Sequence, residues 1–474
     1  MLIAIATNAP IGYDYCRSKL EKTISRKSPL DRIRQKARKT MHVDKRITLT
    51  TVCTIWLCTQ MTPAVHADVQ DSQQGWKPDK FIITFWCPPP ATDESLARVA
   101  AEHYNLTWVP EEGLDVAARH GLQAMLTNNL LNPATLDDAD KLKQLDSLIE
   151  RVKDHPVLEA YHILDEPGAS TFPVLGKLVA YLKERDPDHL AYINLFPTYA
   201  NEQQLGVTAA DAQRGRVGYP KGLAGVEAEN KVVLAYREHL KQYLEIVKPD
   251  LISYDHYHFF KDKDGPQYFL NLALIRMEAI ELSTPFLNII QGGNFLKVWR
   301  LPTADEIRWL VFTTMAYGGR GISYFTYWGP KSYGGLYQDG KPSPLASKVA
   351  LINAEIEKFG SALMTLDSLG VYHTDPLPLG TEAIPTDAPV QINSGGEFVL
   401  GLFGQKKHIT AFMIVNRSYS RSAQATLKVS IPGDKFQELD RKSGKWIDSM
   451  DMRNNGIVKI DLNPGDGRLF RTAE

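Results

Sequence analysis

The feature that most constrains the fold of this chain is an alternation of short apolar runs with longer amphipathic stretches. Eight apolar runs, rich in β-branched and aromatic side chains, have the composition of buried strands. They occupy residues 81–86, 106–109, 123–127, 159–164, 190–196, 251–257, 285–290 and 321–328. The stretches between them repeat apolar residues at three-to-four spacing, which is typical of helices. Eight strands alternating with helices predict an α/β fold, a (β/α)8 TIM barrel.

Local signals agree with this alternation. Thr303 and Glu306 have the spacing of a capping box, which predicts a helix that begins directly after Thr303. Residues 201–229 are rich in Gly and Ala and show little apolar periodicity. We interpret that segment as an insertion over the mouth of the barrel after the fifth strand.

The pattern changes near residue 367. Short β-type runs follow, separated by turn signals such as Ser-Gly-Gly and Pro-Gly-Asp. They predict a small antiparallel β-sandwich domain after the barrel. The predicted domains are therefore a catalytic barrel over residues 78–366 and a C-terminal sandwich over residues 367–474.

The N-terminal region has the features of a leader rather than a domain. Residues 1–40 are polar and basic without apolar periodicity, and we interpret them as a misassigned or disordered leader. Residues 41–67 resemble a signal peptide, with Lys45 and Arg46 before an apolar stretch and small residues before a cleavage point near Ala67. The expected location is secreted or periplasmic, without a membrane span in the mature chain. The alternative is a cytoplasmic basic arm with a membrane anchor.

Removal of this leader changes the charge of the chain. The first 67 residues hold 12 of the 54 Lys and Arg residues but only 4 of the 55 Asp and Glu residues, so the mature net charge is about −9. That charge argues against nucleic acid as a partner. Only Cys87 of the four cysteines follows Ala67, so we expect neither an intramolecular disulfide nor a cysteine-based zinc site. No metal or other cofactor is expected.

In a barrel of this kind the active site lies where the strands end, so the residues that close each run are the informative ones. They are acidic, amide-bearing or aromatic, a set that suits a carbohydrate substrate because carboxylates bind hydroxyls and aromatic faces stack on sugar rings. No phosphate-binding or dinucleotide-binding motif occurs in a useful context. The candidates for substrate binding are Trp86, Asn128, His256, Tyr257, Gln291, Tyr327 and Trp328.

The fourth run ends in two adjacent acids, Asp165 and Glu166, followed by Pro167. This motif resembles the Asn-Glu-Pro signature of clan A glycoside hydrolases, in which the Glu is the general acid/base. The resemblance implies a barrel enzyme that hydrolyses glycosidic bonds, with Glu166 in that role.

Two further stretches strengthen the resemblance. With the predicted sandwich included, the resemblance covers roughly residues 78–474. Asp255, His256 and Tyr257 on the sixth run are similar to the His-x-Tyr feature of the clan, and Tyr327 with Trp328 on the eighth is similar to its sugar-platform tryptophan. The arrangement is nearest in style to the family 42 β-galactosidases.

The chain departs from the clan at the seventh run. Retaining members place a nucleophilic Glu there, whereas this chain has Gln291 and no Asp or Glu between residues 285 and 302. An amide cannot form a glycosyl ester. Asp165 also replaces the usual Asn before the acid/base.

Three mechanisms remain open from the sequence. In an inverting scheme, Glu166 protonates the leaving oxygen while Asp255 activates water. In a substrate-assisted scheme, a 2-acetamido group of the substrate attacks C1 and the pair Asp165 and Glu166 supports it. In the third, the nucleophile comes from elsewhere, such as Glu111 or Glu112.

Two functions of different classes follow. The first is an exported glycoside hydrolase that cleaves O-glycosidic bonds of an oligo- or polysaccharide, with Glu166, Asp165 and Asp255 as catalytic candidates. The alternative is a non-catalytic carbohydrate-binding pseudoenzyme on the same barrel, motivated by Gln291. His256, Asp255, Tyr327 and Trp328 each also have a purely structural interpretation.

Overall fold

The computed structural model describes residues 75–212, 231–296, 298–330, 334–433, 435–451 and 456–473. The predicted leader segments, residues 1–40 and 41–67, lie outside these ranges, as do residues 213–230 of the predicted insertion. Within the described ranges, no helix combines the length and the apolar character that a bilayer crossing requires.

A parallel eight-stranded barrel forms the first part of the fold, and all eight predicted strands are confirmed. The strands pair in the order β1-β8-β7-β6-β5-β4-β3-β2, so that β1 lies beside β8 in parallel register. Their bounds are β1 Ile82–Phe85, β2 Leu106–Val109, β3 Gln123–Leu126, β4 Leu158–Asp165, β5 Leu190–Leu195, β6 Ile252–His256, β7 Phe286–Gln291 and β8 Gly321–Phe325. Most of their side chains are buried, as expected for strands covered on both faces.

A side-chain amide helps to close the barrel between β1 and β2. Asn105 directly precedes β2, and its backbone N–H donates to the carbonyl of Ile83 at 3.0 Å. Its side chain accepts from the N–H of Ile83 and donates to the carbonyl of Phe81, both at 2.8 Å. Because this amide takes the place of ladder partners, the backbone groups at the seam remain satisfied.

Helices follow the strands and cover the barrel. They are α1 Asp93–Ala101, α2 Leu114–Arg119, α3 Ala139–Val152, α4 Phe172–Arg185, α5 Glu202–Leu205, α6 Ala209–Ala212, α7 Lys231–Val247, α8 Tyr268–Glu281, α9 Ala304–Ala316 and α10 Ala346–Leu363. The predicted capping box before α9 is present, with the Thr303 hydroxyl and the Glu306 carboxylate each bonded to the other residue's N–H. The predicted insertion contains two short helices, α5 and α6, in its described part.

The C-terminal part is an antiparallel β-sandwich, as predicted. Its strands are β12 Asp367–His373, β13 Val390–Ile392, β14 Phe398–Gln405, β15 His408–Asn416, β16 Ala423–Val429, β17 Lys435–Leu439, β18 Trp446–Asp451, β19 Ile457–Leu462 and β20 Gly467–Thr472. Six form one sheet, in the order β12-β14-β15-β20-β17-β18, and three form the other, in the order β13-β16-β19. Between barrel and sandwich lie three two-residue strands, β9 Trp328–Gly329, β10 Tyr337–Gln338 and β11 Lys341–Pro342.

The six-stranded sheet is buried on both faces, which joins the sandwich to the barrel. Along β14, Val399 and Phe403 belong to the core of the barrel, whereas Leu400 and Leu402 belong to the core of the sandwich. This division follows from the alternation of side chains along a strand. The sandwich therefore braces the barrel through a shared apolar core.

Buried polar contacts support the same interface. The Tyr317 hydroxyl, after α9, lies 2.8 Å from Nε2 of His373 on β12, and Arg417 lies 3.3 Å from Nδ1 of that ring. Burial and the Arg417 charge hold the pKa of His373 well below its usual value. The ring is therefore neutral, accepts from Arg417 at Nδ1 and donates to Tyr317 at Nε2.

Cys87, one of the residues that follow β1, is disulfide-bonded. Its partner lies outside the described residues. All other cysteines precede residue 67, so cleavage near Ala67 would remove any partner within the chain. A chain that keeps the Cys87 disulfide within itself therefore keeps its N-terminal segment, whereas a chain cleaved near Ala67 has Cys87 as its single cysteine.

Replacement of Gly401 by Ala tests the close packing of the sandwich on α9. A Cβ at Gly401 would lie 2.6 Å from the backbone oxygen of Ala316, and backbone cannot move as a side-chain end can. We expect a loss of about 1–3 kcal/mol in the free energy of unfolding, measured with urea. Gly395→Ala, where a Cβ would meet nothing within 4 Å, is the control. Equal stability of the two variants would contradict this packing.

Candidate active site

Three polar side chains meet at the ends of neighbouring strands β4, β5 and β6. Nδ2 of Asn194 donates to Oδ1 of Asp165 and to Oδ1 of Asp255, each at 3.0 Å. One amide therefore joins two carboxylates, and the two Oδ1 atoms lie at most about 6 Å apart. The structure thus brings together two of the predicted catalytic residues through a residue that the sequence analysis did not single out.

A hydrogen-bonded chain fixes the orientation of this amide. Oδ1 of Asn194 accepts from the Ser253 hydroxyl at 3.2 Å, and the Tyr192 hydroxyl lies 2.8 Å from Ser253 Oγ. Since Ser253 donates to Asn194, Tyr192 donates to Ser253. The amide nitrogen is consequently the atom that faces the carboxylates, and Asn194 is fully buried.

A bulge in β4 decides which of its residues meets Asn194. His162 pairs with Tyr192, but Leu164 pairs with Ile193, so the register shifts by one residue between them. Without the shift, Leu164 would share the face of His162. With it, Asp165 is the residue opposite Asn194.

Glu166 follows the bulged strand in an unusual backbone conformation. Its φ is 47°, in the left-handed region that residues with a Cβ seldom adopt, and its N–H donates to the carbonyl of Asn194 at 2.9 Å. Such conformations occur often at functional sites, where surrounding contacts hold them. Glu166 and Asp165 are both half-buried, whereas Asp255 is only 1% exposed.

Two tyrosines adjoin the carboxylates. The N–H of Tyr257 donates to the hydroxyl of Tyr199 at 3.2 Å. Burial, followed by the charge of Asp255, raises the pKa of both phenols well above the usual value, and the charge of Glu166 adds to the effect. Tyr257 is therefore a protonated donor at physiological pH. Its hydroxyl is buried and has no hydrogen-bond partner among the described residues.

His256 lies behind this site rather than in it. Its side chain is 1% exposed, and Nδ1 lies 2.9 Å from Oδ1 of Asn271 on α8. Asn271 in turn donates to the Tyr236 hydroxyl at 3.0 Å. Burial lowers the pKa of His256 to about 3, so the ring is neutral. These contacts fix the ring through Nδ1, and its Nε2 has no hydrogen-bond partner among the described residues.

Gln291 is occupied by the backbone of two loops. Its Oε1 accepts from the N–H of Phe259 at 2.9 Å, and its Nε2 donates to the carbonyls of Phe259 at 3.0 Å and Arg300 at 2.6 Å. The side chain is fully buried. Gln291 therefore clamps the loop after β6 to the loop after β7, and its amide is not presented to a substrate in this structure.

The aromatic candidates take different positions. Tyr327 is 1% exposed, stacks on Phe85 and donates its hydroxyl to Glu102 at 2.8 Å, so it belongs to the core. Trp328 is half-buried and stacks on Tyr337 with 5.9 Å between ring centroids. It therefore remains available as a platform at the rim.

Trp86 forms part of an aromatic floor in the barrel, together with residues that the sequence analysis missed. Its ring lies 4.7 Å from that of Trp108, which lies 4.7 Å from His162. Burial lowers the pKa of His162 to about 4, against the opposing charge of Asp165, so this ring is neutral as well. Side chains alternate between the two faces of a strand, so the positions of Trp108 on β2 and His162 on β4 could have predicted that both rings point into the barrel.

Of the other candidates, Glu111 and Asn128 form local contacts, and Glu112 is exposed. Glu111 forms a two-point ion pair with Arg151 on α3, at 2.6 and 2.8 Å, which lowers the pKa of this carboxyl. Glu112 is exposed. Oδ1 of Asn128 accepts from the N–H of Leu130 at 2.9 Å, in a turn.

Among the described residues, no group of three or more His, Cys, Asp or Glu could hold a metal ion.

Comparison with known proteins gives similarity at the level of structure only. No family model and no curated protein matches the sequence. A family 39 glycoside hydrolase from Bacteroides cellulosilyticus WH2 is 11% identical, covers 83% of this chain and 81% of its own, and has a TM-score of 0.47. A family 42 β-galactosidase from G. stearothermophilus, solved as a catalytic mutant, is 10% identical, covers 84% and 99%, and has a TM-score of 0.44.

A family 30 endoxylanase from Clostridium papyrosolvens C71 is 10% identical, covers 85% of this chain and 98% of its own, and has a TM-score of 0.39. These values do not identify a substrate or a mechanism for this chain. The family 42 assignment is not confirmed.

Gln291→Glu tests whether this position is a loop clamp or the remnant of a nucleophile. A carboxylate would face the carbonyls of Phe259 and Arg300 without a proton to donate, so we expect a loss of about 2–4 kcal/mol in unfolding free energy. Gln405→Glu is the matched control, because that exposed amide also donates to one backbone carbonyl. Unchanged thermal stability together with increased glycosidase activity would contradict the clamp.

Proposed function

We propose that this chain is an exported glycoside hydrolase that cleaves glycosides of 2-acetamido sugars, with Glu166 as general acid and Asp165 as the residue that orients the acetamido group. The observation that carries the proposal is the arrangement of Asp165, Asn194 and Glu166. Asp165 ends β4 and Glu166 follows it directly. Both acids are half-buried, and Asp165 is held by the buried amide of Asn194.

Accessibility supports the substrate-assisted scheme over the inverting one. An inverting enzyme needs a base that touches the attacking water. Asp255, the candidate for that role, is 1% exposed and bonded to Asn194. Asp165 and Glu166 are half-buried, so a substrate can contact both. The geometry therefore favours the scheme in which the substrate supplies the nucleophile.

In the first step, Glu166 donates its proton to the leaving oxygen as the bond from C1 to that oxygen breaks. The acetamido carbonyl oxygen attacks C1 and closes a five-membered oxazolinium ring. Asp165 accepts a hydrogen bond from the acetamido N–H, and its negative charge balances the positive charge that develops on the ring. Asn194 keeps the Asp165 carboxylate in place for this contact.

In the second step, the Glu166 carboxylate takes a proton from water while the water oxygen attacks C1. The ring opens, the acetamido group is restored, and Glu166 is again protonated. Because C1 is attacked twice, the product keeps the configuration of the substrate.

Asp255 shares the amide of Asn194 with Asp165. We assign to Asp255 a role in holding that amide, and through it Asp165, in place.

The alternative of a non-catalytic carbohydrate-binding pseudoenzyme rested on Gln291. The hydrogen bonds of Gln291 to Phe259 and Arg300 account for an amide at this position. A scheme in which the substrate provides the nucleophile needs no carboxylate there. Gln291 therefore does not favour the pseudoenzyme over the hydrolase.

Export is supported by the sequence alone. The segment 41–67 has a basic start, an apolar stretch and small residues before Ala67, the order of a signal peptide. A secreted or periplasmic location brings the enzyme to extracellular or envelope saccharides, which fits a hydrolase of acetamido sugars.

Glu166→Gln tests the role of the general acid. We expect kcat/KM for an alkyl 2-acetamido glycoside, whose leaving group needs protonation, to fall by about 10²–10⁴-fold. For a 2,4-dinitrophenyl glycoside, whose leaving group needs no proton, the fall should be far smaller. Glu112→Gln, a change at an exposed acid in the turn after β2, is the control. An equal fall with both substrates would contradict general-acid catalysis by Glu166.

A further inference from the structure

The loops that Gln291 clamps are also joined by a short antiparallel pairing, which we call the rim hairpin although α8 and β7 separate its two segments in the chain. Phe260 and Trp299 form its bridge. The N–H of Lys261 donates to the carbonyl of Val298 at 2.8 Å, and the N–H of Arg300 donates to that of Phe259 at 3.1 Å. The rim hairpin, defined as residues 259–261 and 298–300, thus joins the loop after β6 to the loop after β7.

The rim hairpin carries aromatic rings at its surface. Phe260 and Trp299 stack with 5.7 Å between ring centroids and an angle of 29°, and both are half-buried. Trp299 also packs on the buried Phe295, with 4.7 Å between ring centroids. Tyr199, in the segment after β5, lies edge-on to Phe260 at 6.5 Å and is 37% exposed. Val298 and Leu301, 45% and 39% exposed, extend the apolar surface. We call Tyr199, Phe260 and Trp299 the rim platform.

The rim platform is continuous with the candidate active site. The indole N–H of Trp299 donates to the carbonyl of Tyr257 at 3.3 Å, and the hydroxyl of Tyr199 accepts from the N–H of the same residue. Both ends of the platform therefore hold Tyr257, which adjoins Asp255 and Glu166. A saccharide that extends from the acids would meet these rings next.

Ion pairs hold the rim hairpin in position. The Arg300 guanidinium donates to both carboxylate oxygens of Glu306 at 2.7 and 2.6 Å, and it lies 4.7 Å from the centre of the Phe259 ring. Glu306 belongs to the capping box of α9, so the hairpin is tied to a barrel helix. A surface that is ordered before binding loses less entropy when a ligand arrives.

We propose that the rim platform is a second sugar-binding subsite, which binds a residue of the substrate chain next to the one that is cleaved. This inference rests on the proposed function and extends it to oligosaccharide or polysaccharide substrates. The indole N–H of Trp299 and the hydroxyl oxygen of Tyr199 are bonded to the backbone of Tyr257, so the exposed surface of the platform is mainly aromatic carbon. Aromatic carbon suits the apolar faces of sugar rings, and the place of the platform beside the acids would bring a continuous saccharide into contact with it.

Trp299→Ala tests the subsite through its dependence on substrate length. We expect kcat/KM for N-acetylhexosamine oligosaccharides of three to six residues to fall at least about 10-fold more than kcat/KM for an aryl monoglycoside. Trp299→Phe should restore most of the difference, because a ring face is kept. Leu351→Ala, which truncates a 63% exposed side chain on α10, is the control. An equal fall with short and long substrates, or no fall, would overturn the subsite.

Binding separates failure of this inference from failure of the proposed function. Calorimetry with the same oligosaccharides can be run on the Glu166→Gln background and on the otherwise unchanged chain, even if neither shows turnover. Weaker binding after Trp299→Ala supports the platform. Absence of binding before the substitution, or unchanged binding after it, overturns the platform.

If Trp299→Ala does not fold, Tyr199→Ala provides the same comparison at the most exposed ring of the platform. Self-association of the chain that is lost with either variant would assign the surface to a second copy and also overturn the inference.

Discussion

The site depends on one buried amide, that of Asn194. Its two N–H groups reach carboxylates on strands either side of β5, and its carbonyl is committed to Ser253. Without this amide, Asp165 and Asp255 would have no donor between them, and the repulsion between their charges would be uncompensated. The bulge in β4 is part of the same arrangement, because it is the register shift that places Asp165 opposite Asn194. Fold and chemistry are therefore linked at a single residue of β5.

The end of β7 is fixed by an amide. The donor and the acceptor of the Gln291 side chain both bond to the backbone of neighbouring loops. A carboxylate has no proton for the carbonyls of Phe259 and Arg300, so the clamp and the nucleophile exclude each other. The proposed scheme moves the nucleophile into the substrate, and the loops that Gln291 holds carry the aromatic surface beside the acids.

The sequence predicted the architecture well because strand and helix periodicity is a local property. All eight barrel strands, the capping box of α9 and the antiparallel sandwich followed from it. The site was predicted less completely, since it depends on contacts between strands. Asn194 lies inside an apolar run, and only the pairing with β4 and β6 shows its role. Gln291 and His256 end their strands as a binding residue would, and only the structure shows their hydrogen bonds to distant loops and to a helix.

The most direct test of the proposed mechanism is the anomeric configuration of the first product. It can be measured by NMR while the mature chain, residues 68–474, hydrolyses a panel of glycosides of 2-acetamido and 2-hydroxy sugars. The mechanism predicts cleavage confined to acetamido sugars and a first product that retains the anomeric configuration of the substrate. An inverted first product would contradict it and return Asp255 to the role of a base. Cleavage of 2-hydroxy glycosides with retention would contradict it as well, because the substrate would then lack the nucleophile.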